Sequence, residues 1–163
     1  MKVRLICATS IDGYIAKHSR DKITWTKDLA LFKKQTMNKV VIMGSNTFNS
    51  LEGELKGRNV IVLTRTDSPE KIINKLAKKE KECFIAGGGR TNSRFAKYIT
   101  DLYLTPHPIV LGKGIRLFFK ETVESETMLV KTIPIPNCTD LIQYQFKIKY
   151  SEFGIRNKLH YKQ

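Results

Sequence analysis

Asp28 stands between two aromatic residues, with Trp25 three positions before it and Phe32 four after it. The segment KDLALFKKQ (27–35) predicts an amphipathic helix with Leu29, Phe32 and Gln35 along one side and Leu31 nearby. Phe32, at i+4, then shares a face with Asp28. A carboxylate beside apolar rings is desolvated, an environment suited to proton transfer. The plainer account makes Asp28 a first-turn acid favoured by the helix dipole, with Thr26 as N-cap. That account leaves the aromatic company unexplained. Gly87-Gly88-Gly89 follows an apolar run and precedes a helix candidate. Such a turn lets a ligand approach the backbone closely and offers N–H groups to phosphate. It is not G-x-G-x-x-G, because Asn92 holds the sixth position, and no G-K-[ST] follows it. Gly44-Ser45-Asn46-Thr47 ends a second apolar run, where Asn46 or Thr47 can cap a short helix facing an anion. Capping alone also explains that segment, and Gly112-Lys113-Gly114 reads as a turn.

Other reactive residue types offer less. His18, His107 and His160 are too dispersed for a metal site, and His107, in Pro-His-Pro, reads as structural. Cys7 and Cys83 lie in strand-like runs where a buried thiol is ordinary. No G-x-S-x-G or H-E-x-x-H occurs, and no metal is expected.

The positioning elements follow from short runs of β-branched residues. VRLICAT (3–9), KVVIMG (39–44), NVIVLT (59–64) and CFIAG (83–87) predict buried strands. Helix candidates lie between them. Ser68 caps one, with Pro69 at its first position, and Thr91 or Asn92 starts another through SRFAKYI. After residue 101, DLYLTPHPIV, ETMLVKTI and LIQYQFKIKY predict strands without intervening helices. QYQFKIKY alternates polar and apolar residues, as a half-exposed antiparallel strand does. The pattern predicts an α/β sheet, largely parallel, with an antiparallel C-terminal edge. Ligands in such sheets sit beyond the carboxyl ends of the strands. That rule points to the ends after Thr9, Met43 and Leu63 and to Gly87–Gly89.

With 163 residues and no Pro/Gly/Ser-rich linker, a single domain over 1–163 is expected, with 151–163 readable as a basic tail. The 41% hydrophobic and 27% charged content excludes a disordered or fibrous chain. Three dispersed cysteines (Cys7, Cys83, Cys138) argue against a disulfide scaffold and fit a reducing cytoplasm. No apolar run approaches the roughly 18 residues of a membrane span. The formal charge of +14 invites acidic partners, but its Lys and Arg are scattered, densest over 71–81 and in the tail. It reads as a solvated Lys-rich surface or as steering for an anionic small ligand. No nucleic-acid-binding motif accompanies it.

Together these segments resemble dihydrofolate reductase over about residues 3–118, more weakly over the last strand. Residues 25–65 are similar to the family's W…D-L-x-x-F-K-x-x-T, V-I-M-G-x-x-T-[WF]-x-S-[IL] and L-x-G-R-x-x-[IV]-[IV]-L-[ST] blocks, in that order. Residues 84–105 add its G-G-G turn and L-Y-L-T strand. The resemblance implies a dihydrofolate reductase-like α/β fold. Its central sheet is mixed but mostly parallel, with an antiparallel C-terminal strand and about four flanking helices. It implies NADPH-dependent reduction of dihydrofolate to tetrahydrofolate, with hydride delivered to C6 and a proton to N5. Such an enzyme serves one-carbon metabolism in the cytoplasm and is methotrexate-sensitive. Its partner is a small molecule rather than nucleic acid or membrane, and it is a monomer, with a homodimer as the alternative.

Residue by residue, Asp28 matches the acid that grips the pterin, and Trp25 the Trp that orders water beside it. Ile6, Cys7 and Phe32 match pocket walls, and Leu51 and Leu55 contacts to the benzoyl group. Arg58 matches the arginine that pairs with the glutamate tail, and Thr105 a threonine bonded to the acid. For NADPH, Gly44, Ser45, Asn46 and Thr47 match the pyrophosphate turn. Leu63, Thr64 and Arg65 match the adenosine side, Gly87, Gly88, Gly89 and Arg90 the second phosphate turn, and Ala8 and Ile15 the nicotinamide flanks.

This chain departs from the pattern in several places. Trp25 to Asp28 is three steps where the family usually has five, and the preceding loop is longer. Ser45 replaces a frequent Arg for the cofactor's 2′-phosphate, leaving Arg65 or Arg90 for that duty, and Asn92 replaces a frequent Tyr. ATSIDGYIA (8–16) and HPIVLGKGIRLF (107–118) look more like the related riboflavin-pathway pyrimidine reductases. The alternatives are therefore a reductase of a ribosylaminopyrimidine, or a nonenzymatic basic binding protein on the same fold. Asp28 and Arg58, generally absent from that sister group, favour dihydrofolate reductase.

Overall fold

The computed structural model describes residues 1–51, 53–119 and 124–149. The tail expected over 151–163 lies outside the described residues. In chain order the elements are β1 (Lys2–Ser10), β2 (Tyr14–Ala16), α1 (Leu29–Thr36), β3 (Val40–Gly44), α2 (Ser45–Ser50), β4 (Asn59–Leu63), α3 (Pro69–Ala77) and β5 (Glu82–Ile85). There follow α4 (Gly89–Phe95), a 3-10 turn (Ala96–Tyr98), β6 (Asp101–His107), β7 (Ile115–Arg116), β8 (Glu126–Pro134) and β9 (Ile142–Lys149). Seven strands form one sheet in the order β4-β3-β5-β1-β6-β9-β8. The five strands from β4 to β6 pair in parallel, and β9 and β8 add antiparallel. β2 and β7 pair separately.

The β-branched runs become strands because both sheet faces are covered. Successive side chains of β3 go to opposite faces, as the two-residue period requires. Val40 and Ile42 join Leu5, Ile85 and Phe95 in one cluster, with Ile72, Ile73 and Leu76 of α3 packed on it. Val41 and Met43 join Ile6, Leu55 and Phe84 in the other, with Phe32 of α1 and Phe48 of α2. Thus α1 and α2 cover one face, and α3 and α4 the other. A third cluster sets Leu31 of α1 against Ile135 and Leu141 of the β8–β9 turn.

Local chemistry fixes most boundaries. The Ser68 hydroxyl accepts the Lys71 N–H at 3.3 Å, with Pro69 first in α3. Four expectations need correction. The N-cap position of α1 is Asp28, not Thr26, and its carboxylate makes no cap hydrogen bond. Leu31, rather than Leu29, is the buried leucine of α1, because the helix packs against the β8–β9 turn as well as the sheet. α4 starts at Gly89, ahead of Thr91 and Asn92, with Gly88 at its N-cap. Asn92 is instead fully buried, donating to the Leu117 carbonyl at 2.8 Å.

The fourth concerns β9, whose alternation is inverted over its first half, while Ile148 packs on the core between exposed Lys147 and Lys149 as expected. Gln143 and Gln145 are buried, while Tyr144 and Phe146 are half-buried and stacked on the other face. Gln35 of α1 supplies the reason. It and Gln143 exchange two amide hydrogen bonds, at 2.7 and 3.0 Å, and Gln145 donates to Gln143 at 3.0 Å.

Candidate active site

α1 organises one side of the site. Asp28, 8% exposed, sits at its start. Phe32, one turn on, meets Ile6, Leu51 and Leu55 in the apolar cluster on this face. Arg58 stands at the helix's far end, its Nε donating to Thr36 Oγ1 at 2.9 Å. Nη1 donates to the carbonyls of Glu54, at 2.5 Å, and Lys56, at 3.1 Å. Gly57, at φ +80°, supplies the left-handed turn that delivers Arg58 to this place. Its guanidinium carbon lies 5.6 Å from the centre of the Phe32 ring, and Nη2 is buried without a hydrogen-bond partner. Desolvation lowers the Arg58 pKa and the Glu54 charge opposes that. Thr36, the guanidinium's anchor, is eight steps along the helix from the acid, about 12 Å of rise.

Thr105 pairs in register with Ala8 and is fully buried, and its hydroxyl has no partner. The bond to Asp28 that the resemblance implies is therefore absent from the free chain, leaving a buried polar atom unsatisfied. Cys7 differs from expectation too. Its side chain packs with the α3/α4 cluster, on the face opposite Ile6. Its thiol is pushed up to about 12, first by burial and then by the Asp28 charge. Trp25 is half-buried and reaches Asp28's surroundings through His107, whose ring it meets edge-on at 5.4 Å.

The two glycine turns adjoin at the carboxyl ends of β3 and β5. Gly44 N–H donates to Gly87 O at 3.0 Å. The Thr47 hydroxyl would lie 3.8 and 3.5 Å from a methyl added at Gly87 or Gly88. Ser45 and Asn46 are exposed beside them. Gly89 has a different reason to be glycine, since a Cβ there would lie 2.5 Å from the Arg116 carbonyl oxygen. Arg90 stacks on Phe119, its guanidinium carbon 4.8 Å from the ring centre. Leu63 is buried under α3 and Arg65 is exposed. The Thr64 N–H and hydroxyl both donate to Asp67, at 2.6 and 2.7 Å, and Arg94 clamps that turn through the Thr64 and Asp67 carbonyls. Ile15, on β2, is buried.

Sequence reading took His107 as structural only and missed Arg94 and Asp12. The Asp12 carboxylate accepts the Leu111 and Gly112 N–H groups, at 3.1 and 2.8 Å, and so ties the loop after β1 to the loop after β6. No local signal marks their long-range bonds, whose partners lie 27 to 100 positions away. Among the described residues, no three His, Cys, Asp or Glu side chains gather as a metal set, and no helix is long and apolar enough to cross a membrane.

A family model described as dihydrofolate reductase matches residues 2–111. Dihydrofolate reductase type 8 of Escherichia coli is 44% identical over 68 residues, 40% of this chain and 39% of that protein. The match thus spans about two-fifths of that relative. The dihydrofolate reductase of Haemophilus influenzae is 33% identical over 115 residues, 64% of this chain and 71% of that protein. Among solved structures, dihydrofolate reductase from Enterococcus faecalis complexed with NADP(H) and RAB-propyl aligns with a TM-score of 0.75 and 24% identity, covering 91% of this chain and 97% of that one. A putative riboflavin biosynthesis protein from Shewanella sp. PV-4 aligns at 0.66 with 22% identity, covering 92% and 100%. At these identities the structural matches speak to the fold alone.

Proposed function

This chain belongs to the dihydrofolate reductase family, and we propose that it reduces 7,8-dihydrofolate to tetrahydrofolate with NADPH. The observation that carries the reading is the pair of uncommitted groups at the two ends of α1. At one end the buried Asp28 carboxylate makes no cap bond, and the buried Thr105 hydroxyl is unpartnered. At the other, Arg58 is held by three hydrogen bonds while Nη2 is left without one. Between them lies the apolar wall of Ile6, Phe32, Leu51 and Leu55. A ligand that satisfies all of these needs hydrogen-bond donors on a flat ring, an apolar middle and a carboxylate at the far end. Dihydrofolate has that sequence of groups.

In this reading Asp28 accepts from the pterin's 2-amino group and N3 and favours protonation at N5, and Trp25 borders the water that brings the proton. Arg58 holds the tail through Nη2, because its own bonds to Thr36, Glu54 and Lys56 fix the planar guanidinium in one orientation. The Cys7 site supplies backbone only, since its side chain faces away. Gly44 and Gly87–Gly88 with Thr47 suit a cofactor's pyrophosphate. With the Gly44 N–H spent on Gly87 O, the approach is to the Gly87–Gly88 backbone and the Thr47 hydroxyl, with no side chain on the glycines to bar it. Ala8 and Ile15 flank the nicotinamide; Leu63, Thr64 and Arg65 lie on the adenosine side. NADPH when bound supplies the hydride, and the protein's part is position and electrostatics.

The test is the fall in NADPH absorbance. It is expected only when dihydrofolate is added, and methotrexate is expected to block it. The loops after β1 and β6 favour a second reading, because residues 8–16 and 107–118 look like those of the pyrimidine reductases and β2 pairs with β7 there. Oxidation of NADPH with a ribosylaminopyrimidine and none with dihydrofolate would replace the folate reading with that one.

A further inference from the structure

His107 closes β6 and is 2% exposed, against the site's acid. Its two ring nitrogens have different partners. Nδ1 lies 2.9 Å from the Thr105 carbonyl oxygen, and Nε2 lies 2.9 Å from the Lys27 backbone nitrogen. A backbone N–H only donates and a carbonyl only accepts. Nε2 must therefore be bare and Nδ1 must carry the proton, which imposes a single neutral tautomer. Trp25, edge-on to the ring at 87°, fixes its plane.

The same bare Nε2 lies 4.0 Å from Asp28 Oδ1. The single in-plane lone pair of Nε2 is taken by the Lys27 N–H, so this nitrogen has no proton to give the carboxylate. The Lys27 bond also ties the residue just before Asp28 to the end of β6. The chain is short here, with three steps from Trp25 to Asp28. Trp25, Lys27 and His107 also line a cavity of about 370 Å³ whose lining does not include Asp28.

We propose that His107 is a positioning residue for Asp28: its imposed tautomer pegs Lys27, and with it the acid, to β6. What Asp28 then grips rests on the folate reading; the peg itself does not.

Two variants and one spectrum test this. His107→Gln can still offer Lys27 an acceptor, whereas His107→Leu offers none. In His107→Leu, kcat/KM for dihydrofolate is expected to fall roughly tenfold, the loss of about one buried hydrogen-bond partner. The KM for NADPH stays within about twofold, and His107→Gln recovers most of the loss. Nitrogen-15 spectra of the ligand-free wild type should show His107 protonated on Nδ1 and bare on Nε2. Protonation on Nε2, equal loss in both variants, or a loss shared with NADPH would overturn the proposal. The spectrum still decides if His107→Leu fails to fold. The imposed tautomer in a protein inert toward dihydrofolate would overturn the folate reading and leave the peg supported.

Discussion

Replacing Arg58 with leucine probes the far end of the proposed ligand. The guanidinium makes three hydrogen bonds to its own protein, so part of the effect falls on stability. At a net 0.5–1.5 kcal/mol each, the fold loses on the order of 3 kcal/mol. The remaining atom, Nη2, is the one with no partner. A charged hydrogen bond from it to a tail carboxylate is worth about 1.5–3 kcal/mol, a weakening of dihydrofolate binding by roughly 10- to 150-fold. The two effects separate with a second ligand. A dihydropterin lacking the benzoylglutamate should bind wild type and Arg58→Leu within about threefold of each other. The dissociation constants of both ligands, measured by fluorescence quenching in folded protein, complete a double-mutant cycle. Arg58→Lys keeps the charge but loses the fork and should fall between. If tailed and tailless ligands weaken alike, Arg58 acts only by bracing Thr36 and the 54–57 turn, and the tail contact does not exist.

Three further outcomes are expected. Asp28→Asn should keep the fold but slow turnover strongly near neutral pH, with partial recovery in acid, where substrate arrives protonated; an unchanged rate would remove Asp28 from the chemistry. Gly89→Ala should destabilise the protein by about 1–3 kcal/mol in urea unfolding, because its methyl meets the Arg116 carbonyl at 2.5 Å; a neutral result would mean that the 115–119 segment gives way. The Asp12 carboxyl is held below the usual 3.8, first by the Ser10 side chain and also by the Leu111 and Gly112 N–H groups, with desolvation opposing. A depressed folded-state value contributes stability above the unfolded value and loses it as pH falls through the folded one. The amide resonances of Leu111 and Gly112 should therefore hold steady from pH 7 to about 4 and shift only below it; a shift at higher pH would contradict the clamp.

The sheet was legible because its strands are self-declaring. VVIMG and NVIVL are β-branched runs, the first buried on both faces and the second partly buried at the sheet edge, and neither needs a partner to be recognised. The Ser68-Pro69 start of α3 was equally local. The start of α4 was not, because Gly88 caps with no side chain to announce it. In β9 the period was readable but its sense was not. Whether Gln143 or Tyr144 faces inward depends on Gln35, 108 positions before Gln143. The site follows the same division. Asp28 and Phe32 are one helical turn apart, so their shared face could be read directly. Arg58 joins them only because the 53–58 turn folds back onto Thr36 and Phe32. His107 was readable only as structural, since the amide that its Nε2 accepts from lies 80 positions away.

The reciprocal amide clasp between Gln35 and Gln143 shapes how this protein can diverge. Losing either glutamine alone strands a buried donor and acceptor, at about 1–3 kcal/mol, whereas exchanging both for aliphatic side chains of like shape removes the clasp's own donors and acceptors together and leaves only the Gln145 amide to be replaced with them. Apolar descendants are therefore separated from this sequence by a fitness valley at each single step. Lineages are expected to keep the clasp or to lose both halves together, and the two positions should co-vary across descendants.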